Sequence, residues 1–208
     1  MLLKVMFLAA GLLLAVSTCF SDILTFDGLP DSGGLLLCTG GVTPNGYGGL
    51  NWNNFGYVNA TVSPCSVEGY GTALTSPPNV GFNEGGNPAS ITSATPFTLL
   101  SGDFAAAWND GLTVAITAKL GATTVGTLDF TLNTTTRTLE TFSFGQVTEL
   151  DFSSSGGIEN PNLVQFGGGN NFAFDNLAVN AVPEPRSILL LAFCIGAMSL
   201  VRGKLSRL

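Results

Sequence analysis

The side chains here that could do chemistry are acids, amides and aromatics, because the 208 residues include no histidine. Without imidazole there is no Ser-His-Asp or Cys-His nucleophile and no His-ligated metal. Three groupings remain. The first is the stretch over residues 47–57, with Tyr47, Trp52, Asn53 and Tyr57 as candidate carbohydrate-binding residues. Aromatic faces stack on the apolar faces of sugars, while Asn51, Asn53 and Asn54 offer donors and acceptors to hydroxyls. The competing reading is that Trp52 and Phe55 plug one end of a core. The second grouping is two pairs of carboxylates, Asp103 with Asp110 and Glu149 with Asp151. A glycoside hydrolase needs two acids about 5–10 Å apart across a cleft, one raised in pKa by burial. Acids on turns and outer strand faces are simply solvated. The third is Asp27 with Asp175, near the ends of the first and last expected strands, where carboxylate and carbonyl oxygens would suit Ca²⁺. No other cofactor is implied.

The elements that must position these groups read as strands. Ile23 to Phe26 is β-rich and runs into the turn Asp27-Gly28-Leu29-Pro30. Further strands are expected over 57–62, 79–83, 97–100 and 104–108, with a turn at Ser101-Gly102-Asp103 between the last two. Asn109-Asp110-Gly111 then reads as a hairpin turn into 112–120. In that strand Leu112, Val114, Ile116, Ala118 and Leu120 share one face, and Thr113, Thr117 and Lys119 the other. Strands over 124–132, 147–152, 163–166 and 172–179 follow, with Leu128, Phe130 and Leu132, and then Leu150 and Phe152, pointing inward. Short alternating strands with no amphipathic helix of useful length predict an all-β fold, an antiparallel, jelly-roll-like β-sandwich. Trp108 is expected in its core.

Both chain ends carry targeting patterns. Residues 1–21 combine Lys4, an apolar run and small or polar residues, the form of a secretory signal peptide. A second reading is lipoprotein processing at Cys19. At the other end, 182–208 contains Val182-Pro183-Glu184-Pro185, an apolar segment over 187–201 and the cations Arg202, Lys204 and Arg207. That segment is short for a hydrocarbon core of about 30 Å, so a short hydrophobic helix that spans transiently is expected, with the basic tail as its stop signal.

The order of these features, Pro183-Glu184-Pro185, then apolar run, then basic tail, resembles the PEP-CTERM sorting signal of bacterial surface proteins. The resemblance covers about an eighth of the chain. It implies an exosortase-type transpeptidase as partner, cleavage near the Pro-Glu-Pro motif, and delivery to the envelope or an exopolysaccharide matrix. The tail departs from the usual tighter run of arginines. Residues 22–181, the expected secreted domain, resemble jelly-roll, carbohydrate-binding-module-like domains more loosely, through Phe26-Asp27, the 105–111 stretch and Phe174-Asp175-Asn176-Leu177.

Within 22–181 thirteen acids face two cations, Lys119 and Arg137. So acidic a domain has no footprint for phosphate backbones, and nucleic acid is excluded as a partner. Export makes a disulfide between Cys38 and Cys65 the expectation, since Cys19 and Cys194 fall in the two apolar segments. Asn59-Ala60-Thr61 and Asn133-Thr134-Thr135 match a glycosylation pattern but read as ordinary strand residues in a bacterial export context. The expected function is that of an exported, non-enzymatic surface or matrix protein, structural or exopolysaccharide-associated. The alternative is a secreted carbohydrate-active hydrolase acting through the paired acids.

Overall fold

Eighteen residues, Ala89–Ala106, form one strand, and it belongs to both layers of the fold. In the computed structural model, which describes residues 21–30 and 41–181, the strands in chain order are β1 (Asp22–Leu24), β2 (Gly41–Val42), β3 (Asn51–Asn53), β4 (Phe55–Asn59), β5 (Asn79–Asn83), β6 (Ala89–Ala106), β7 (Asn109–Asp110), β8 (Leu112–Leu120), β9 (Thr123–Leu132), β10 (Thr138–Thr141), β11 (Val147–Ser155), β12 (Ile158–Glu159) and β13 (Phe172–Ala181). A five-residue helix, α1 (Gly69–Ala73), lies between β4 and β5. The signal peptide, Cys38 and the C-terminal sorting segment fall outside the described residues. Among those described, no helix is long and apolar enough to cross a membrane.

The first half of β6 pairs with β3 at Asn51 to Asn53 and with β11 at Val147 to Phe152; the second half pairs with β13 and β10. One layer is therefore β3-β6-β11-β8-β9, and the other is β2-β4-β5-β13-β6-β10 with β1 added to β13. All these pairings are antiparallel. The result is the β-sandwich that strand alternation predicts, with inner faces packed through aromatic rings. Trp52 of β3 lies over Phe174 of β13 at 6.5 Å and 9°, Phe152 of β11 over Phe172 of β13 at 6.0 Å, and Phe104 of β6 meets Phe130 of β9 edge-on at 5.3 Å.

Four local expectations fail. Ser101-Gly102-Asp103 is not a turn but the middle of β6. Gly102 is there because a Cβ would lie 2.5 Å from Leu177 and 2.8 Å from the Phe104 ring, so the space belongs to neighbouring side chains. Asn109-Asp110-Gly111 does not close a hairpin of paired neighbours, since β8 pairs with β11 and β9, not β6. It carries the chain from one layer to the other. Leu120 leaves the buried face of β8 and is 42% exposed, following a register shift between Ala118 and Lys119 that breaks the alternation. The segment 163–166 is a pair of turns, with Leu163 N bonding Asn160 O and Phe166 N bonding Leu163 O.

A second apolar cluster lies beyond the sandwich core, where Tyr70, Ala73 and Trp108 pack with Val58, Val80, Ala105 and Ala173. Here α1 presses onto β6 so closely that a Cβ on Gly69 would meet the Ala106 carbonyl. Trp108 is in this cluster, as expected of a core residue. Cys65 is buried in it and disulfide-bonded. Glu68 is also buried, and burial raises its carboxyl from 4.5 to about 7. Between those values the folded chain binds more protons than the unfolded one, so this group's contribution to stability falls as pH rises through that window. Glu68→Gln removes the titration. Its melting temperature should gain on the unsubstituted protein between pH 4.5 and 7 and hold that gain above 7, the underlying stability difference reaching about 3 kcal/mol at most. Parallel thermal scans across that range check it.

Candidate functional site

The open outer face of the β3-β6-β11-β8-β9 layer is built by alternation alone. Trp52, Ile91, Leu150, Phe152, Val114, Ile116 and Leu132 turn inward and are buried. Their sequence neighbours must then point outward. Registry aligns those neighbours in rows. One row runs Asn51, Thr92, Glu149 and Lys119; the next runs Asn53, Ser90, Asp151, Thr117 and Thr127. With strands about 4.8 Å apart, the second row extends for about 19 Å across five strands. Every side chain in it is an amide, a hydroxyl or a carboxylate.

Lys119 ties the rows together. Its Nζ donates to Glu149 Oε1 at 3.0 Å and lies 2.5 Å from Asp151 Oδ2. Hydrogen bonds to Asp151 and then Glu149 raise the Lys119 pKa, so the ammonium is retained. At the row's other end, Asn53 is exposed and its Nδ2 reaches Ser90 Oγ at 3.5 Å. This arrangement can donate and accept hydrogen bonds along a line of hydroxyl groups.

The other residues expected to bind sugar lie elsewhere. Trp52 is buried among Phe26, Phe55 and Phe174, its Nε1 donating to Tyr47 O at 2.9 Å, so it offers no ring face to a ligand. Tyr57 is buried and donates to Pro30 O at 2.9 Å. The Tyr47 hydroxyl accepts from Phe26 N at 2.7 Å, and burial raises its pKa. The three aromatics fasten the 41–59 segment to the core; Asn53 alone of the four reaches the open face. Asn51, also expected as a partner for hydroxyls, lies there too, and Ser90, Thr92, Thr117 and Thr127 join them, residues whose types alone do not mark a binding site.

The acids have structural partners. Asp110 Oδ1 accepts from Thr134 N at 2.8 Å and Thr134 Oγ1 at 2.7 Å. Asp103 accepts from Thr75 Oγ1 at 3.0 Å and lies 3.4 Å from Arg137 Nε; its register neighbour is Asp175, not Asp110. Asp175 is fully buried and accepts from Thr75 N, Ser76 N and Asn176 N, each at 2.7 Å. Asp27 Oδ1 accepts from Asn79 N at 3.2 Å. The oxygens expected to meet Ca²⁺ thus receive N–H groups, and a cation at Asp175 would have to displace donors already aimed at it. Among the described residues no three His, Cys, Asp or Glu side chains are grouped for a metal.

The chain shares its fold with a DUF4465 family protein. That protein, from Bacteroides caccae, is 13% identical, with a TM-score of 0.52, covering 77% of this chain and 98% of its own. Such identity speaks to fold alone. TmCBM61, solved with β-1,4-galactotriose, overlaps at 9% identity and a TM-score of 0.37, covering 67% of this chain and 90% of its own, too little to argue from. No protein-family model and no curated protein matches the chain.

Asp175 sits where β13 changes partner from β5 to β1, and its register shifts there. Its carboxylate holds the loop after α1 against that irregularity. Burial raises its pKa, and the hydrogen bonds from Ser76 and Thr75 pull the other way. Asp175→Asn keeps the shape but replaces an acceptor oxygen with a donor facing N–H groups. The expected loss is about 1–3 kcal/mol, read as a lower urea midpoint.

Proposed function

We propose that this chain is an exported, non-enzymatic β-sandwich module that binds neutral polysaccharide at the cell surface or in an extracellular matrix. The observation that carries it is the row Asn53, Ser90, Asp151, Thr117 and Thr127 on five adjoining strands. Sugar hydroxyls each donate and accept, and amide, hydroxyl and carboxylate side chains match both roles. An acidic domain repels anionic polymers, which favours neutral ones. Recognition rests on hydrogen bonds and not on stacking, because both tryptophans are buried.

Delivery, in this reading, follows the resemblance at the C-terminus: export by the N-terminal signal, then handling of Pro183-Glu184-Pro185 by an exosortase-type partner, with 187–201 as the membrane segment. The hydrolase reading is less well supported, since Glu149 and Asp151 lie on one open strand face and share the cation Lys119, whereas a glycosidase sets its two acids across a cleft.

A panel of immobilised neutral glycans offered to Ser21–Ala181, a unit with its own core, tests binding. Asn53→Ala and Asp151→Ala should each weaken it by about tenfold, the worth of one or two hydrogen bonds. Tryptophan fluorescence should stay unchanged on binding. Equal binding by both variants, or none to any neutral glycan, would sink the proposal. Sorting has its own test. The intact mass of the protein from its host should show a C-terminus near Pro185 that depends on the exosortase, and a chain ending at Leu208 with or without that enzyme would refute it.

A further inference from the structure

Every sheet edge exposes unpaired N–H and C=O groups, and folds blunt that hazard with short edges, lysines or prolines. Here four lateral strands are short: β1 has three residues, β2 two, β3 three and β10 four. The strand β9 is different. It ends the strand order, runs for ten residues, and contains neither lysine nor proline; its one charge is Asp129. On its outward face Thr127 and Asp129 are exposed; Val125, 41% exposed, is the extra residue of the register shift against β8, and the run beyond it, 126–132, pairs regularly. On its inner face Leu128 is half-buried, and Gly126 lies under the half-buried ring of Phe144.

We propose that β9 is a self-association edge: two copies of this chain pair antiparallel through β9, about a two-fold axis at Thr127, and extend the sheet across both molecules. A strand paired with its own copy makes an isologous, closed contact. In this register Thr127 faces Thr127 of the second copy, while Asp129 falls opposite the bulge at Val125 of the second copy, so the two aspartates are not opposed. Gly126 then faces Leu128 of the second copy, which comes down beside Phe144 and covers apolar surface that the single chain leaves half exposed. A second copy is favoured over a foreign strand because this one sequence satisfies both faces of the pair. The polar rows of the two molecules would then join side by side, which gives a matrix protein two contacts per assembly. The pairing does not depend on what those rows bind.

The test is sedentation by analytical ultracentrifugation of both the full chain in mild detergent and Ser21–Ala181, over a concentration series. A monomer–dimer equilibrium is expected, tightening with added salt as repulsion between two acidic domains is screened. Thr127→Lys places like charges opposite one another and should weaken dimerisation by about fivefold or more. Val125→Lys meets Asp129 of the second copy and should preserve or tighten it. Thr113→Lys, on β8, should leave it unchanged. Thr127→Cys should cross-link to itself under mild oxidation, while Thr113→Cys should not. A monomer at every concentration, or a dimer indifferent to Thr127→Lys with no Thr127→Cys cross-link, overturns the proposal.

Discussion

The sandwich depends on a single strand serving two sheets. Because β6 pairs with β3 and β11 over one half and with β13 and β10 over the other, the layers are joined covalently along a backbone as well as through their packed faces. That geometry fixes where large side chains can go. Phe97, at the changeover, pairs with both Val147 and Ala181 and is buried. Towards the other end of β6, Phe104 tilts against Phe172 and Phe174 of β13, all within 6.5 Å of one another. Full burial of one such ring is worth about 1.5–3 kcal/mol, so the strand that joins the layers is also where much of the stabilisation gathers.

Aromatic demand at the join explains why Tyr47, Trp52 and Tyr57 pack into the core while Asn53 stays on the open face. In isolation, Tyr47, Trp52 and Tyr57 among asparagines fit a binding loop and a core plug equally well. What decides between them is that β3 lies next to β6, so Trp52 opposes Ile91 and must share its inward direction. Strand pairing between residues forty positions apart cannot be read from local alternation. The alternation itself is legible: the inward faces of β8 and β11 follow from their residues, and β5 lies at the bounds its sequence predicts. Leu120 and Gly102 escape such a reading because a register shift, and a glycine that makes room for Leu177, are set by partners and not by the strand's own residues.

The acids show the same limit from another side. Two pairs close in sequence invite a catalytic reading, yet the pairing that matters across the sheet is Asp103 with Asp175, seventy-two positions apart. Thr75 joins them, its N–H on Asp175 and its hydroxyl on Asp103, and Arg137 offsets the charge from the far side of Asp103. Two carboxylates held by donors and a guanidinium brace the loop over an irregular stretch of β13. That work asks for immobile acids whose oxygens are already engaged by donors, the opposite of what proton transfer to a glycosidic oxygen requires.

Core and face divide the composition between them. The join consumes phenylalanine and tryptophan, and the covered side of the β6 end and β13 takes alanines at Ala105, Ala107 and Ala173 so that α1 can sit close. What is left for the uncovered layer is small and polar, with threonine frequent because a β-branched side chain suits a strand and its hydroxyl suits water. A face of that kind is held in place by the strands beneath it and needs little reordering to meet a polymer, which limits the entropy lost on binding. Its weakness is that no single hydrogen bond to a hydroxyl outcompetes water by much. Affinity from such a surface must therefore come from length, either along one row or across adjoining molecules, and among the described residues the ten-residue β9 at the end of the same layer is the long edge where the rows can continue.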